Sequence, residues 1–263
     1  MKILQTSDWH LDHKTHGVSR FDELHRAVDA TVMTALEEEV DLYAFTGDLC
    51  DPDAGGDAVF ECVEVAIWAA SRLAGDGIPS VWISGNHDVI EDGRGRTTLA
   101  PLVGYAANTR GLVKVYESGM SDVLDLGSAQ AWGSRFCEIL ALPYPSATKP
   151  YNMEEAFIRN HGVQSFKGAE PRIILSHLAV PGVIPGEEVG EMARGRDVMY
   201  PIERVLRGIA DDDVTSAVML QGHYHRQQSL NFGGVYMHIP GSLAQLTFTE
   251  EHYKSGYLII EVG

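Results

Sequence analysis

Ser84-Gly85-Asn86-His87-Asp88 is the stretch from which the rest of the chain is read. It follows Ser80-Val81-Trp82-Ile83, an apolar run that predicts a buried strand. Gly85 is expected to allow a sharp turn that a residue with a Cβ resists. Asn86 then offers a carbonyl oxygen, His87 an imidazole and Asp88 a carboxylate, all within one tight loop. A metal site with a proton donor beside it needs such a crowd. A polar turn without chemistry has the same composition, because Gly-Asn and His-Asp pairs are common in loops. The neighbouring segments decide between the two.

Upstream, residues 3–6 predict a short strand, and Asp8 and His10 follow at its end. His13 and His16 lie further on, at no strand end, and are expected to be solvent-exposed surface imidazoles. Residues 20–40 have helical spacing, with Leu24, Val28, Val32 and Leu36 forming one apolar stripe. Glu37-Glu38-Glu39 reads as a solvated acidic face. Residues 41–46 predict a second buried strand, closed by Gly47-Asp48 with Asp51 three residues on. A second helix is expected over 58–73, ahead of the strand that leads to Asn86. Strand, helix, strand, helix, strand predicts a parallel sheet with right-handed crossovers.

Downstream, a short helix is expected within 94–106, two strands around Gly119, and another over 138–143. Helices are expected over 153–161 and 201–210, the first with His161 as a C-terminal cap, and a long loop beside the site over 181–196. Residues 172–176 predict a buried strand ended by His177. Residues 217–221 predict another, ended by Gly222-His223-Tyr224-His225. Segments 234–239, 243–248 and 257–262 read as antiparallel strands. Five apolar strands are thus each followed at once by ligand-type side chains, and sites in open α/β sheets form at the carboxyl ends of strands.

The 263 residues, 44% hydrophobic, suit one α/β domain with a substantial core. The net charge of -17 argues against a broad basic surface for nucleic acid, though bound cations would create a local one. Cys50, Cys62 and Cys137 show no paired spacing, which suits a reducing cytoplasm. No charged-then-apolar leader opens the sequence and no apolar run reaches membrane-spanning length, so no membrane association is expected.

Asp8, His10, Asp48, Asn86, His177, His223 and His225 suit two divalent ions. Mixed imidazole and carboxylate ligands fit Mn, Fe or Zn better than Mg or Ca, with Mn2+ expected first. Asp48, central in the series, is the expected bridge. Two aspartates against two dications leave a positive site that attracts phosphate, and paired ions bind phosphoryl oxygens and activate water.

The set Asp-x-His, Gly-Asp, Gly-Asn-His-Asp, His, Gly-His-x-His, running from Asp8 to His225, resembles that of the calcineurin-like metallophosphoesterases. The resemblance implies a metallophosphoesterase fold, an α/β arrangement of two facing mixed β-sheets flanked by helices. It implies one ion on Asp8, His10, Asp48 and His225, and another on Asp48, Asn86, His177 and His223. It makes His87 the catalytic histidine, oriented by Asp88 through its second ring nitrogen. Residues 3–11, with Trp9, and the tail from Pro240-Gly241-Ser242-Leu243 to Lys254-Ser255-Gly256-Tyr257 are similar to the SbcD nuclease subunits of DNA repair complexes. Asp12 stands where that subfamily has glycine, and Leu243 where it has proline.

That likeness implies DNA as the substrate, with an SbcC-like ATPase subunit and a homodimer as further assemblies. Residues 1–263 are expected to be one nuclease domain without the subfamily's DNA-contacting cap and ATPase-binding extension. A phosphodiesterase or phosphatase for nucleotides or other small phosphoesters shares every metal motif. A non-catalytic subunit is the poorest reading, since every ligand position is filled. Leu49-Cys50-Asp51 after Asp48 matches neither purple acid phosphatases nor protein Ser/Thr phosphatases. Some of Arg94, Arg96, Arg194 and Arg196 are expected to contact substrate phosphates, the alternative being solvated surface arginines.

Overall fold

The computed structural model describes residues 1–51, 56–90, 94–126, 136–145, 171–184, 217–232 and 235–262. Its first strand, β1 (Lys2–Thr6), enters the sheet directly. A small ladder of β2 (Lys14–Thr15) and β3 (Val18–Ser19) precedes helix α1 (Phe21–Glu37). Then come β4 (Leu42–Phe45), α2 (Gly56–Gly75) and β5 (Ser80–Ile83). A second ladder, β6 (Val89–Ile90) with β7 (Arg96–Thr97), leads to α3 (Ala100–Ala106) and β8 (Val113–Tyr116). The second half supplies β9 (Met120–Asp125), β10 (Phe136–Leu142), β11 (Arg172–Ser176) and β12 (Ala217–Gln221). It ends with β13 (Gln228–Phe232), β14 (Val235–Ile239) and β15 (Tyr257–Glu261).

Two sheets result. The first has the order β15-β1-β4-β5-β8, parallel except for β15 on the edge. The second runs β13-β14-β12-β11-β10-β9, parallel inside and antiparallel at both edges. Strand periodicity explains how they meet. Ile3, Leu42, Ala44, Val81 and Ile83 point to one face and pack against Ile139, Ala141, Ile173, Leu175, Val218 and Leu220 of the other sheet. The alternate residues Leu4, Tyr43, Phe45 and Trp82 point the other way, onto α1, α2 and α3. With both faces covered, these strands read as unbroken apolar runs rather than alternating ones. Each such side chain contributes roughly 1.5–3 kcal/mol on burial, so the strand ends are held in a stiff frame.

The five ligand-bearing strands are β1, β4 and β5 in one sheet and β11 and β12 in the other, not five neighbours in a single sheet. The helix predicted over 20–40 is α1, with Leu24, Val28 and Val32 buried as expected. Residues 243–248 form no strand; Leu243 and Leu246 are buried, and a 3-10 turn follows at Phe248–Glu250. β13, which the sequence did not mark, has the half-exposed alternation of an edge strand. The helices expected over 153–161 and 201–210, and the loop beyond residue 184, lie outside the described residues. Among the described residues no helix is long and apolar enough to cross a membrane.

Candidate metal centre

The loops after β1 and β4 are laced together by main-chain bonds. Asp8 N donates to Gly47 O (2.8 Å), and Trp9 N and His10 N both donate to Asp48 O (2.8 and 3.1 Å). Trp9 is fully buried between, its ring 4.6 Å from Phe45 and 5.6 Å from Trp82. Trp9 thus anchors the strained turn from which Asp8 and His10 both reach the same group as His225. Asp8 (φ 51°), His10 (φ 41°), Asp48 (φ 61°) and His223 (φ 77°) all occupy the left-handed region. Such residues cost energy and persist where the surroundings over-determine them, commonly at functional sites.

All seven expected ligands come together. Asp48 sits centrally, with Oδ2 3.1 Å from His177 Nε2 and 3.8 Å from His10 Nε2. Its Oδ1 accepts from the His87 main-chain N–H at 3.0 Å. On one side, His10 Nε2 and His225 Nε2 face each other at 3.2 Å beside Asp8. On the other, Asn86 Oδ1 lies 3.1 Å from His177 Nε2 and 3.0 Å from His223 Nδ1. Gly85 has no positive φ, so the turn does not require glycine for its backbone freedom. It requires glycine for space, because a Cβ there would overlap Asp48 Oδ1 and stand 2.6 Å from Asp48 N.

The arrangement fits cations. Both carboxylate oxygens of Asp8 are buried and accept no hydrogen bond, a costly state for an anion unless a positive charge adjoins it. Asp51 Oδ1 holds His10 Nδ1 at 2.7 Å, and Glu250 Oε1 holds His225 Nδ1 at 3.0 Å. With those nitrogens donating, the two facing Nε2 atoms present lone pairs to each other, which a shared cation reconciles. Thr46 O takes His177 Nδ1 at 2.5 Å, aiming its Nε2 inward in the same way. A carboxylate or carbonyl behind a ligating imidazole is the usual support of a metal site.

Charges follow the same pattern. Burial pushes the Asp48 carboxyl up, but the imidazoles of His177, His87 and His10 pull it well below the usual range. Burial raises Asp8, and Asp48 adds to it against the pull of the imidazoles. Burial works to lower His10, yet its bond to Asp51 and the charges of Asp51, Asp48 and Asp8 push it up to about 10. His177, held by Asp48, is pushed up to about 9, while burial and His177 push His223 down to about 3. The carboxylates thus favour positive charge at His10 and His177.

Asp88 does not orient His87. Its buried carboxylate accepts from Asp48 N (2.9 Å), Leu49 N (3.0 Å), Gly85 N (2.8 Å) and the Thr98 hydroxyl (2.6 Å). It is a clamp that ties the loop after β5 to the loop after β4. Among the described residues, the carboxylate beside the His87 ring is that of Asp51, with Oδ1 3.7 Å from Nδ1. Asp51 also holds His13, which is not a free surface imidazole: its Nδ1 lies 2.7 Å from Asp51 Oδ2 and its Nε2 3.1 Å from Leu246 O. His16 is exposed, against Phe248. Sequence reasoning thus missed Asp51, His13 and Glu250 as members of the site. Asp51 was visible in the loop after Asp48; Glu250 had no signal, lying 25 residues past His225.

A cavity of about 200 Å3 opens on the cluster, lined by His10, Asp48, Asn86, His87, His223 and His225 with Asp51, Glu250, His13, Leu246 and Thr247 at its edges. Arg94 and Arg96 are exposed and do not line it; Arg194 and Arg196 lie outside the described residues. A further group, Asp12 with Cys50 and Cys62, sits close by. There the bond to Cys62 and burial push the Cys50 thiol far up, so it stays protonated and is a poor ligand.

Residues 1–227 match the calcineurin-like phosphoesterase family, and the chain belongs to it. The family is one of metal-dependent phosphoester hydrolases, and its members typically bind two divalent ions. Among solved structures, a dimetal phosphatase from Danio rerio shares the fold at a TM-score of 0.56 and 12% identity, over 100% of this chain and 96% of that one. The TT1561 protein of Thermus thermophilus does so at a TM-score of 0.52 and 16% identity, over 92% and 89%.

Proposed function

We propose that the chain is a two-metal phosphodiesterase of the SbcD type, cleaving DNA. The observation that carries the two-metal reading is the position of Asp48 Oδ2 between His10 Nε2 and His177 Nε2. Asp8, His10, Asp48 and His225 would hold one ion; Asp48, Asn86, His177 and His223 the other, Mn2+ first among candidates. Bound ions would supply Lewis-acid polarisation of the phosphoryl group and lower the pKa of a water. The chain's own contribution is orientation and a proton. Asp51 and Glu250 fix the His10 and His225 rings, and Asp88 fixes the backbone of Asp48. His87 borders the cavity, its ring 4.9 Å from that of His10 and its Nδ1 3.7 Å from Asp51 Oδ1. It is placed to give a proton to the departing oxygen.

The likeness of residues 3–11 and of the tail to SbcD supports DNA as the substrate. The buried Trp9 contributes to that likeness as the wedge behind Asp8 and His10. Two observations favour the second reading, a small phosphoester: the cavity is only about 200 Å3, and the chain carries a net charge of -17. The test is one experiment on Mn2+-loaded protein, with labelled single-stranded DNA, duplex DNA and bis-p-nitrophenyl phosphate side by side. Cleavage of DNA supports the first reading. Turnover of the small ester with both DNAs intact overturns it in favour of the second.

A further inference from the structure

A second cavity, of about 570 Å3, is lined by residues next in the chain to those of the metal centre and holds two cations, Arg226 and Lys254. Its walls include Arg226, Gln228, Ser229, His252, Tyr253 and Lys254. The chain passes directly from one cavity to the other, twice. Arg226 follows His225, and residues 252–254 follow Glu250. Gly241 (φ 82°) lets the two segments close on each other: a Cβ there would stand 2.8 Å from His225 O and 3.1 Å from Lys254 O.

The cations of this cavity differ from those that pair with carboxylates elsewhere. Lys2, Arg20, Arg72, Lys114 and Arg172 pair with Glu38, Glu23, Asp76, Asp122 and Glu138. Among the described residues, neither Arg226 nor Lys254 pairs with a carboxylate. In a chain with 37 acidic and 20 basic side chains, carboxylate partners are plentiful. Glu251, next to this cavity in sequence, turns to His252 at 3.3 Å. The Arg226 guanidinium instead lies over the Tyr253 ring, 5.8 Å from its centroid.

Charge balance gives these cations a purpose. Asp51 and Glu250 raise the carboxylates of the metal centre from two to four, which offsets two dications. Ions held there would then leave little excess charge to draw a polyanion toward an acidic protein. Unpaired cations with an aromatic ring, next to such a centre, are what a nucleic-acid strand requires and a small phosphoester does not.

We infer that Arg226, Lys254 and the Tyr253 ring form a subsite for a backbone phosphate of a nucleic-acid strand, beside the phosphate cut at the metal centre. This rests on the nuclease reading above. The test compares wild type with Lys254→Gln and with Arg226→Gln/Lys254→Gln, all loaded with Mn2+. Turnover of a labelled single-stranded DNA oligonucleotide and of bis-p-nitrophenyl phosphate is measured at several salt concentrations, with metal content alongside. In the double variant the ratio of kcat/KM for oligonucleotide to that for the small ester should fall about tenfold, chiefly through KM. The slope of log kcat/KM for the oligonucleotide against log salt should shrink by about 0.7 for a lost phosphate contact. Lys254→Gln should move both readouts the same way by less. An unchanged ratio and slope, or a loss of metal that accounts for the change, overturns the subsite and leaves the nuclease reading standing. Wild-type protein that turns over the ester but no oligonucleotide overturns both.

Discussion

Replacing Asp88 by alanine separates the clamp seen in the structure from the role in orienting His87 that the motif suggests. The substitution removes the acceptor of three buried main-chain N–H groups, on Asp48, Leu49 and Gly85, and of the Thr98 hydroxyl. The hydroxyl can turn away, but the three amides are fixed by the loops that carry them. An orphaned buried donor costs about 1–3 kcal/mol. Two effects oppose this. Burial and the nearby Asp48 charge push the Asp88 carboxyl up, so its removal relieves some unfavourable energy, and water can enter the space left behind. A net loss of about 3–5 kcal/mol remains, or roughly 10 °C in Tm for a chain of this size. Urea and thermal unfolding of the chelator-treated protein measure it without a metal contribution. Asp88→Asn, which keeps one accepting oxygen, should lose about half as much. If the alanine variant unfolds within about 1 kcal/mol of wild type while its rate collapses, the clamp is wrong and Asp88 acts on His87 after all.

Other changes test other parts of the site. Asp48→Asn should abolish turnover and lower metal content, and elemental analysis showing two full equivalents would contradict a bridging carboxylate. Gly85→Ala should cost roughly 1–3 kcal/mol and weaken metal binding, because the added methyl meets Asp48; an unfolding curve that overlays wild type refutes the packing argument. Metal affinity should rise with pH up to about 10, since His10 (about 10) and His177 (about 9) hold protons that a cation must displace. Calorimetric titration in buffers of different ionisation enthalpy should then show proton release on binding at neutral pH, and none would refute it. His87→Ala should keep both metals yet lose a factor of about 10²–10⁴ on poor leaving groups and less on p-nitrophenolate; loss of metal would make His87 a ligand.

The sequence marked the strand ends well because β1, β4, β5, β11 and β12 are each covered on both faces, which leaves unbroken apolar runs. Ligand-type residues after such runs stand out. Helix α1 was legible for a related reason, since one buried stripe imposes a four-residue spacing. The partition into two sheets was not legible from periodicity, because a strand's apolar run does not say which sheet it joins; only the likeness to the family supplied it. Segment 243–248 misled because Leu243 and Leu246 are buried as strand residues would be. They are buried under a loop that has no ladder partner. Glu250 and His13 were hidden because nothing local distinguishes a carboxylate or imidazole that supports a ligand from one that faces water. That distinction arises only when the fold brings separate segments together, 25 residues apart for His225 and Glu250 and 233 for His13 and Leu246.

Strain and charge at this site share one explanation. Asp8, His10, Asp48 and His223 adopt left-handed backbones, each at a cost of about 1 kcal/mol or more. No local sequence preference of these residues requires all four to do so. What holds them is outside the site: Trp9 locked among Phe45 and Trp82, Asp88 gripping three amides, and glycines where a Cβ would collide. The core therefore fixes the ligand atoms before any ion arrives. It also fixes an unfavourable electrostatic state, with two imidazole lone pairs face to face and Asp8 buried without a donor. Protons relieve that state in part, as the raised His10 and His177 show. Divalent ions relieve it more fully, because each carries twice the charge to the point where the lone pairs converge. Metal binding should then add stability on top of a fold that already exists, rather than create the fold.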